Sequence, residues 1–309
     1  AITTGVQNTI IGALSGDALN TAQNNVAIGY QALTTDTKGD NSVAIGVLAL
    51  SAQNFTTSTN SYNVAVGRSA GQSVTTGVRN TLMGGLAGDA LTVAESNVAV
   101  GTGALGTETK GSRNIAIGEN ALLAQNNTTA SSPYNVAIGY NSGKAITTGL
   151  LNTLVGGLAG DAITSGNSNV AIGYDSLSAD TLGDRNVAVG LQALKAQNFT
   201  TSTDSYNTAV GYAAGLSITT GIENTIIGGL AGDALTDADY NVAIGSSALT
   251  TDTLGSKSTA IGVGTLENQN FTTATDSFNT AVGFFAGRAV TTGTSNTLIG
   301  ALAGDAINT

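Results

Sequence analysis

The chain has 309 residues, among them 42 Gly, one Pro and no His, Cys or Trp, and its net charge of −10 comes from 20 acidic and 10 basic residues. Without imidazole or thiolate there is no histidine base, cysteine nucleophile, zinc or haem site or thiol switch, which removes most catalytic arrangements. The basic residues are scattered singly, which argues against nucleic acid as a partner, and no apolar run approaches the roughly 20 residues needed for insertion into a membrane.

The first residues, AITTG, lack the basic and apolar regions of a signal peptide and recur at 145–149. Both ends fall inside a repeat, so we expect one repeat domain over residues 1–309, a segment of a longer fibre protein. NTIIG at 8–12 is followed by NVAIGYQAL from 25, NSVAIG from 41 and NVAVGRSAG from 63, and relatives of this phrase continue to the end. Taking the residue after the usual Asn as anchor, the steps run 17, 17, 21 and 17, giving 72-residue units near Gly5, Gly77, Gly149 and Gly221 and a partial one from Gly293.

Within the phrase two branched residues flank a small one, usually Ala, and Gly closes it. That is strand periodicity, with the two branched side chains on one face. The predicted fold is all-β, a parallel β-solenoid (β-roll-like) of 17- and 21-residue coils at about 4.8 Å spacing. Each coil is expected to bury its two branched residues and a Leu. Asn opens 15 of the 17 copies, Ser42 and Ser258 being the exceptions. The column Asn25, Asn63, Asn97, Asn135, Asn169, Asn207, Asn241 and Asn279 is therefore predicted to stack as a structural amide ladder.

One coil in four carries a large residue in place of the small one, as at Leu82 and Ile226, and continues with Gly-Asp-Ala, as at Gly16-Asp17-Ala18 and Gly88-Asp89-Ala90. Small residues on a facing segment would make room, though the spacing does not name them. The 21-residue coils contain QNFTTSTNSYN from 53 and its relatives from 125, 197 and 269. Phe55, Phe199 and Phe271, with Tyr62, Tyr134, Tyr206 and Phe278, are candidate glycan-binding rings beside Asn, Ser and Thr. The competing reading makes them plugs that hold each loop on its own coil. The second loop has Asn127 where the others have Phe, and Pro133 is expected to stiffen it in compensation.

Two acidic columns recur, Asp17, Asp89, Asp161, Asp233 and Asp305, and Asp36, Glu108, Asp180 and Asp252. Their members are four coils apart, too far for paired acid and base catalysis. DTKGDN and DTLGDR offer two acids each, so calcium is an open cofactor, but Ser112 and Ser256 replace the second acid elsewhere and turn formation is the simpler use. The triplet TTG comes once in four coils, which weakens an ice-binding alternative.

So thin a coil stabilises itself little against backbone ordering costs of about 1–2 kcal/mol per residue. Chains joined through the other strand face, intertwined or side by side as a homotrimer, would form a sturdier rod. NSVAIG, with NVAIG, NVAVG and NIAIG, resembles the head repeats of YadA-like trimeric autotransporter adhesins, and NVAIGYQAL is similar to phage tail-fibre repeats. The resemblance implies an extracellular, trimeric fibre on a bacterial cell surface or a virion tail; we expect a non-enzymatic spacer, with host-surface or environmental glycans as candidate partners of the aromatic long loops. A polysaccharide-degrading tail-spike trunk is the alternative in another class.

Overall fold

The computed structural model describes residues 2–308, and in them every regular element is a strand. The chain divides into two compact units, Ala1–Asn152 and Thr153–Thr309. The first holds eight three-residue rungs: Thr9–Ile11, Val26–Ile28, Val43–Ile45, Val64–Val66, Thr81–Met83, Val98–Val100, Ile115–Ile117 and Val136–Ile138. The second holds nine, from Thr153–Val155 to Thr297–Ile299. Within each unit every rung pairs in parallel with the next, anchor against anchor: Thr9 with Val26, Val26 with Val43, Val43 with Val64, Val187 with Thr208. The predicted parallel β-solenoid is the observed fold of each unit.

The expectation for the interior is reversed. Ala27, Ala44, Ala65, Ala99 and Ala116 are fully buried, whereas the branched flanks Val26, Ile28, Val43 and Ile45 are half-buried and line the outer face. The reason is width. Opposite the rung eight of the twelve Ala coils insert a Leu from the turn, such as Leu33, Leu50 or Leu105, and only a methyl group fits between. The coils that precede a large-residue rung have Gly there, as at Gly71 and Gly215.

The large-residue coils invert that volume arrangement. Leu82 takes the place of the rung Ala, and Gly88 takes the place of the turn Leu. A Cβ on Gly88 would stand 2.8 Å from Leu82 Cδ2, and one on Gly71 in the preceding coil would stand 2.6 Å from Leu82 Cδ1. Ile226 and Gly232 repeat the fit in the second unit, with 3.1 Å between such a Cβ and Ile226 Cδ1. The Gly of Gly88-Asp89-Ala90 is thus the facing residue that makes room.

Three corners per coil lie in the left-handed region although most of their residues are not glycine. Examples from successive corners are Asn24 (φ 59°), Gln31 (φ 55°) and Leu33 (φ 51°). Such a conformation disfavours an L-residue by about 1–2 kcal/mol. It also turns the corner N–H along the stack, where Gln31 N donates to Ala13 O at 3.1 Å and Leu48 N to Tyr30 O at 3.0 Å. The hydrogen bonds between coils hold the strained corners in place.

Candidate functional site

The Asn column is buried and fully occupied. Asn25 Oδ1 accepts from the Ser42 N–H at 2.8 Å and Asn25 Nδ2 donates to Gly39 O at 2.8 Å. Asn63, Asn97 and Asn135 accept from the N–H of the next Asn at 2.9 Å and donate to Gly77, Gly111 and Gly149. In the second unit Asn169, Asn207, Asn241 and Asn279 make the same pair of bonds, their Nδ2 groups reaching Gly183, Gly221, Gly255 and Gly293. The stack runs side-chain oxygen to main-chain N–H first, and amide to amide second, as at 3.3 Å between Asn80 Nδ2 and Asn63 Oδ1. Ser42 and Ser258 break the column because each meets another hydroxyl, Ser61 or Ser277 at 2.5 Å, and accepts from Gln53 or Gln269 at 2.8 Å.

Beside the ladder lies the acidic column of the long coils. Asp36, Glu108, Asp180 and Asp252 are all fully buried. Asp180 Oδ1 accepts from the N–H groups of Gly183 (3.0 Å) and Phe199 (3.2 Å), and Oδ2 accepts from Gln197 Nε2 at 2.6 Å. Gln197 Oε1 in turn accepts from Asn207 Nδ2 at 2.9 Å. Burial pushes the Asp180 carboxyl above its ordinary range, and the hydrogen bonds from Gln197, Phe199 and Gly183 oppose that shift. A cation at Asp36 would have to displace its bonds from Gly39, Phe55 and Gln53, and one at Asp40 those from Gln23 N and Ser58 Oγ, both at 2.8 Å. Those carboxylates bond the backbone and side chains of their own and the neighbouring coils.

The seven candidate rings separate into two sets. Phe55, Phe199 and Phe271 are only 5, 6 and 5% exposed, so they are not an open stacking platform. In the first and last long coils the ring lies over the Gly of the D-T-x-G turn, where a Cβ on Gly39 or Gly255 would come within 2.7 Å of Phe55 or Phe271 Cδ2. Tyr62, Tyr134, Tyr206 and Phe278 are 56, 51, 51 and 56% exposed and sit at a left-handed corner just before the Asn. A cation from the coil before lies over three of them: Arg113 over Tyr134 at 5.9 Å, Arg185 over Tyr206 at 5.6 Å and Lys257 over Phe278 at 5.4 Å.

In the second long coil Glu108 takes the place of the missing ring. Where the sister coils pair Asp with Phe, this one pairs Glu108 with Asn127. The longer carboxylate occupies the ring's space and accepts from Asn127 Nδ2 at 2.7 Å, Asn127 N at 3.0 Å and Gln125 Nε2 at 2.8 Å. The paired exchange is visible in the repeat alignment, but its meaning needs the two side chains in contact across coils.

The TTG hydroxyls are partly occupied inside the wall, Thr75 Oγ1 donating to Thr92 O and Thr219 Oγ1 to Thr236 O, both at 3.2 Å. The outer rung face differs: it carries no charged residue at either branched position, and Ile11, Met83, Ile117 and Ile138 of the first unit and Ile172, Ile227 and Ile299 of the second are exposed. No protein-family model, curated protein or solved structure matches the chain.

Proposed function

We propose that this chain is a non-enzymatic segment of an extracellular fibre, a rigid spacer assembled as a homotrimer through the outer rung faces. The uncharged outer face, with Ile, Val or Met at the second branched position of every rung, carries this reading, since an exposed apolar column marks a contact surface. The acids of the long coils support a structural use over hydrolysis, because each is bound by Gln and backbone donors. The four residues added in each 21-residue coil fold back as a loop whose Phe or Asn closes onto the buried acid. The NVAIG-type phrases support placement on a bacterial surface or a virion tail. Sedimentation of the purified chain is expected to give about three times its 30.4 kDa mass. A folded monomer at micromolar concentration would remove the trimer.

The exposed rings favour a second role for the same fibre, contact with glycans. Replacing Tyr62, Tyr134, Tyr206 and Phe278 together with Ala is expected to abolish binding on an array of neutral glycans while costing less than about 1 kcal/mol of stability at each site. Phe199→Ala should instead lower stability by about 3 kcal/mol, within the usual range for truncating a buried Phe. Glycan binding that survives the fourfold change would place the contact elsewhere.

A further inference from the structure

The four 72-residue units act as natural variants of one another, and the second is the one that lacks two acids at one place while keeping the cations beside them. In the first and third units Asp40 and Asp184 accept from Ser58 Oγ and Ser202 Oγ at 2.8 and 2.9 Å. The second unit has Ser112 and Ala130 at these positions, as the fourth has Ser256 and Ala274, so both a carboxylate and a hydroxyl are missing. A second carboxylate is missing beside it. Arg185 and Lys257 of the later units form ion pairs with Asp204 and Asp276. The matching cation here, Arg113, meets only the hydroxyl of Ser132. Lys110 adds another positive charge, as Lys38 does in the first unit, where the later units carry Leu182 and Leu254. Among the described residues neither Lys110 nor Arg113 has a carboxylate within ion-pair distance.

At this place lies a cavity of about 250 Å³ lined by Glu95, Lys110, Ser112, Arg113, Ser131 and Ser132 among others. Ser131 Oγ is the one buried side-chain polar atom among the described residues without a hydrogen-bond partner. Its counterparts are satisfied, Thr59, Thr203 and Thr275 each donating to a carbonyl of their own loop at 2.9–3.0 Å. A buried hydroxyl left unpaired costs about 1–3 kcal/mol, so an orphan beside two unpaired cations calls for a ligand. The acid in the lining, Glu95, is paired with Arg79 of the neighbouring coil.

We propose that this cavity binds one hexuronic acid residue of an acidic polysaccharide, its carboxylate between Lys110 and Arg113 and its hydroxyls on Ser131 and Ser132. The carboxylate takes the place of the side-chain acids that the sister units supply themselves. The volume lies below the roughly 300–1,000 Å³ of drug-sized sites, so it suits one sugar rather than an oligosaccharide. The chain's charge of −10 opposes an anion at long range, but screening over about 8 Å at 0.15 M salt leaves the two adjacent cations dominant. The inference extends the glycan reading to a different ligand class and does not depend on the exposed rings.

The test is titration of the whole chain with glucuronate, glucose and acetate at 0.15 M salt. Glucuronate is expected to bind at least tenfold tighter than either control. Ser132→Asp restores the residue type of Asp204 and Asp276, so the coil should fold as its sisters do while the new carboxylate pairs with Arg113. Binding of glucuronate should then weaken at least tenfold, with the thermal transition unchanged or raised. Ser112→Asp combined with Ala130→Ser, which restores the acid and hydroxyl of the first and third units, should weaken it similarly. Equal binding of glucuronate and acetate, equal binding of glucuronate and glucose, or full affinity in Ser132→Asp would each overturn the assignment. Loss of neutral-glycan binding in the fourfold ring variant, with glucuronate binding intact, would separate this site from the ring row.

Discussion

Gly29→Ala is expected to cost about 4 kcal/mol or more and to open the coils on either side of it. The rung ends there at φ 131°, a conformation open essentially to glycine alone. Space is also lacking, since an added Cβ would stand 2.6 Å from Gly46 O and 2.7 Å from Gly46 C, both main-chain atoms of the next coil that cannot rotate away. The coil spacing set by rung hydrogen bonds is what forbids the methyl group, so relief requires parting the coils. Gly85→Ala supplies the control, because no atom lies within 4 Å of its Cβ position. That change should leave stability the same or raise it by about 0.4–1 kcal/mol through the unfolded chain. Urea unfolding followed by circular dichroism compares the two, and a Gly29→Ala midpoint within error of the parent would refute the close-approach account.

The second large effect is a coupling. Asn127→Phe alone is expected to destabilise the second long coil by about 2 kcal/mol. The ring would enter space held by the Glu108 carboxylate, and the Asn127 Nδ2 bond to it at 2.7 Å would be lost. Glu108→Asp alone should also destabilise, because the shortened carboxylate withdraws from Asn127 and leaves a gap. Together the two changes recreate the Asp180 and Phe199 pair, whose ring is buried and whose acid accepts from the Phe199 N–H at 3.2 Å. The double variant should recover at least half of the summed loss, a coupling of about 1–3 kcal/mol. Additive losses would mean that acid and loop residue are independent and that the paired exchange in the sequence carries no structural meaning.

Much of the fold was legible because solenoid order is written in the primary sequence as a period. A strand phrase recurring every 17 or 21 residues leaves few alternatives once the coils stack in register, and the Asn that opens each phrase must then lie over its counterpart. The buried ladder through Asn25, Asn63 and their successors follows from that alignment. Which strand face points inward was not legible. Val-Ala-Ile alternates equally well either way, and the usual expectation that larger apolar residues go inside points in the wrong direction here. Ala27 is buried and Ile28 faces outward because Leu33 already fills the far side of the coil.

The site divides along the same line. Composition and period by themselves determined that each unit is a stack of thin β coils with a hydrogen-bonded Asn column, without imidazole or thiol chemistry, and that aromatic loops recur at one fixed place in every 72-residue repeat. Sequence could not separate Phe55 from Tyr62 as buried and exposed rings, since both lie in one short polar loop. Only the tertiary structure decided that the first closes over the Gly39 turn while the second stands out at a left-handed corner. Nor could it show that Ser112, Ala130 and Ser132 line a cavity with Lys110 and Arg113, because these residues come from different coils and meet only after stacking. The physical reason is the same throughout: a period specifies which residues share a column, but volume, depth and charge compensation depend on the side chains of neighbouring columns, which the chain brings together only by closing each coil.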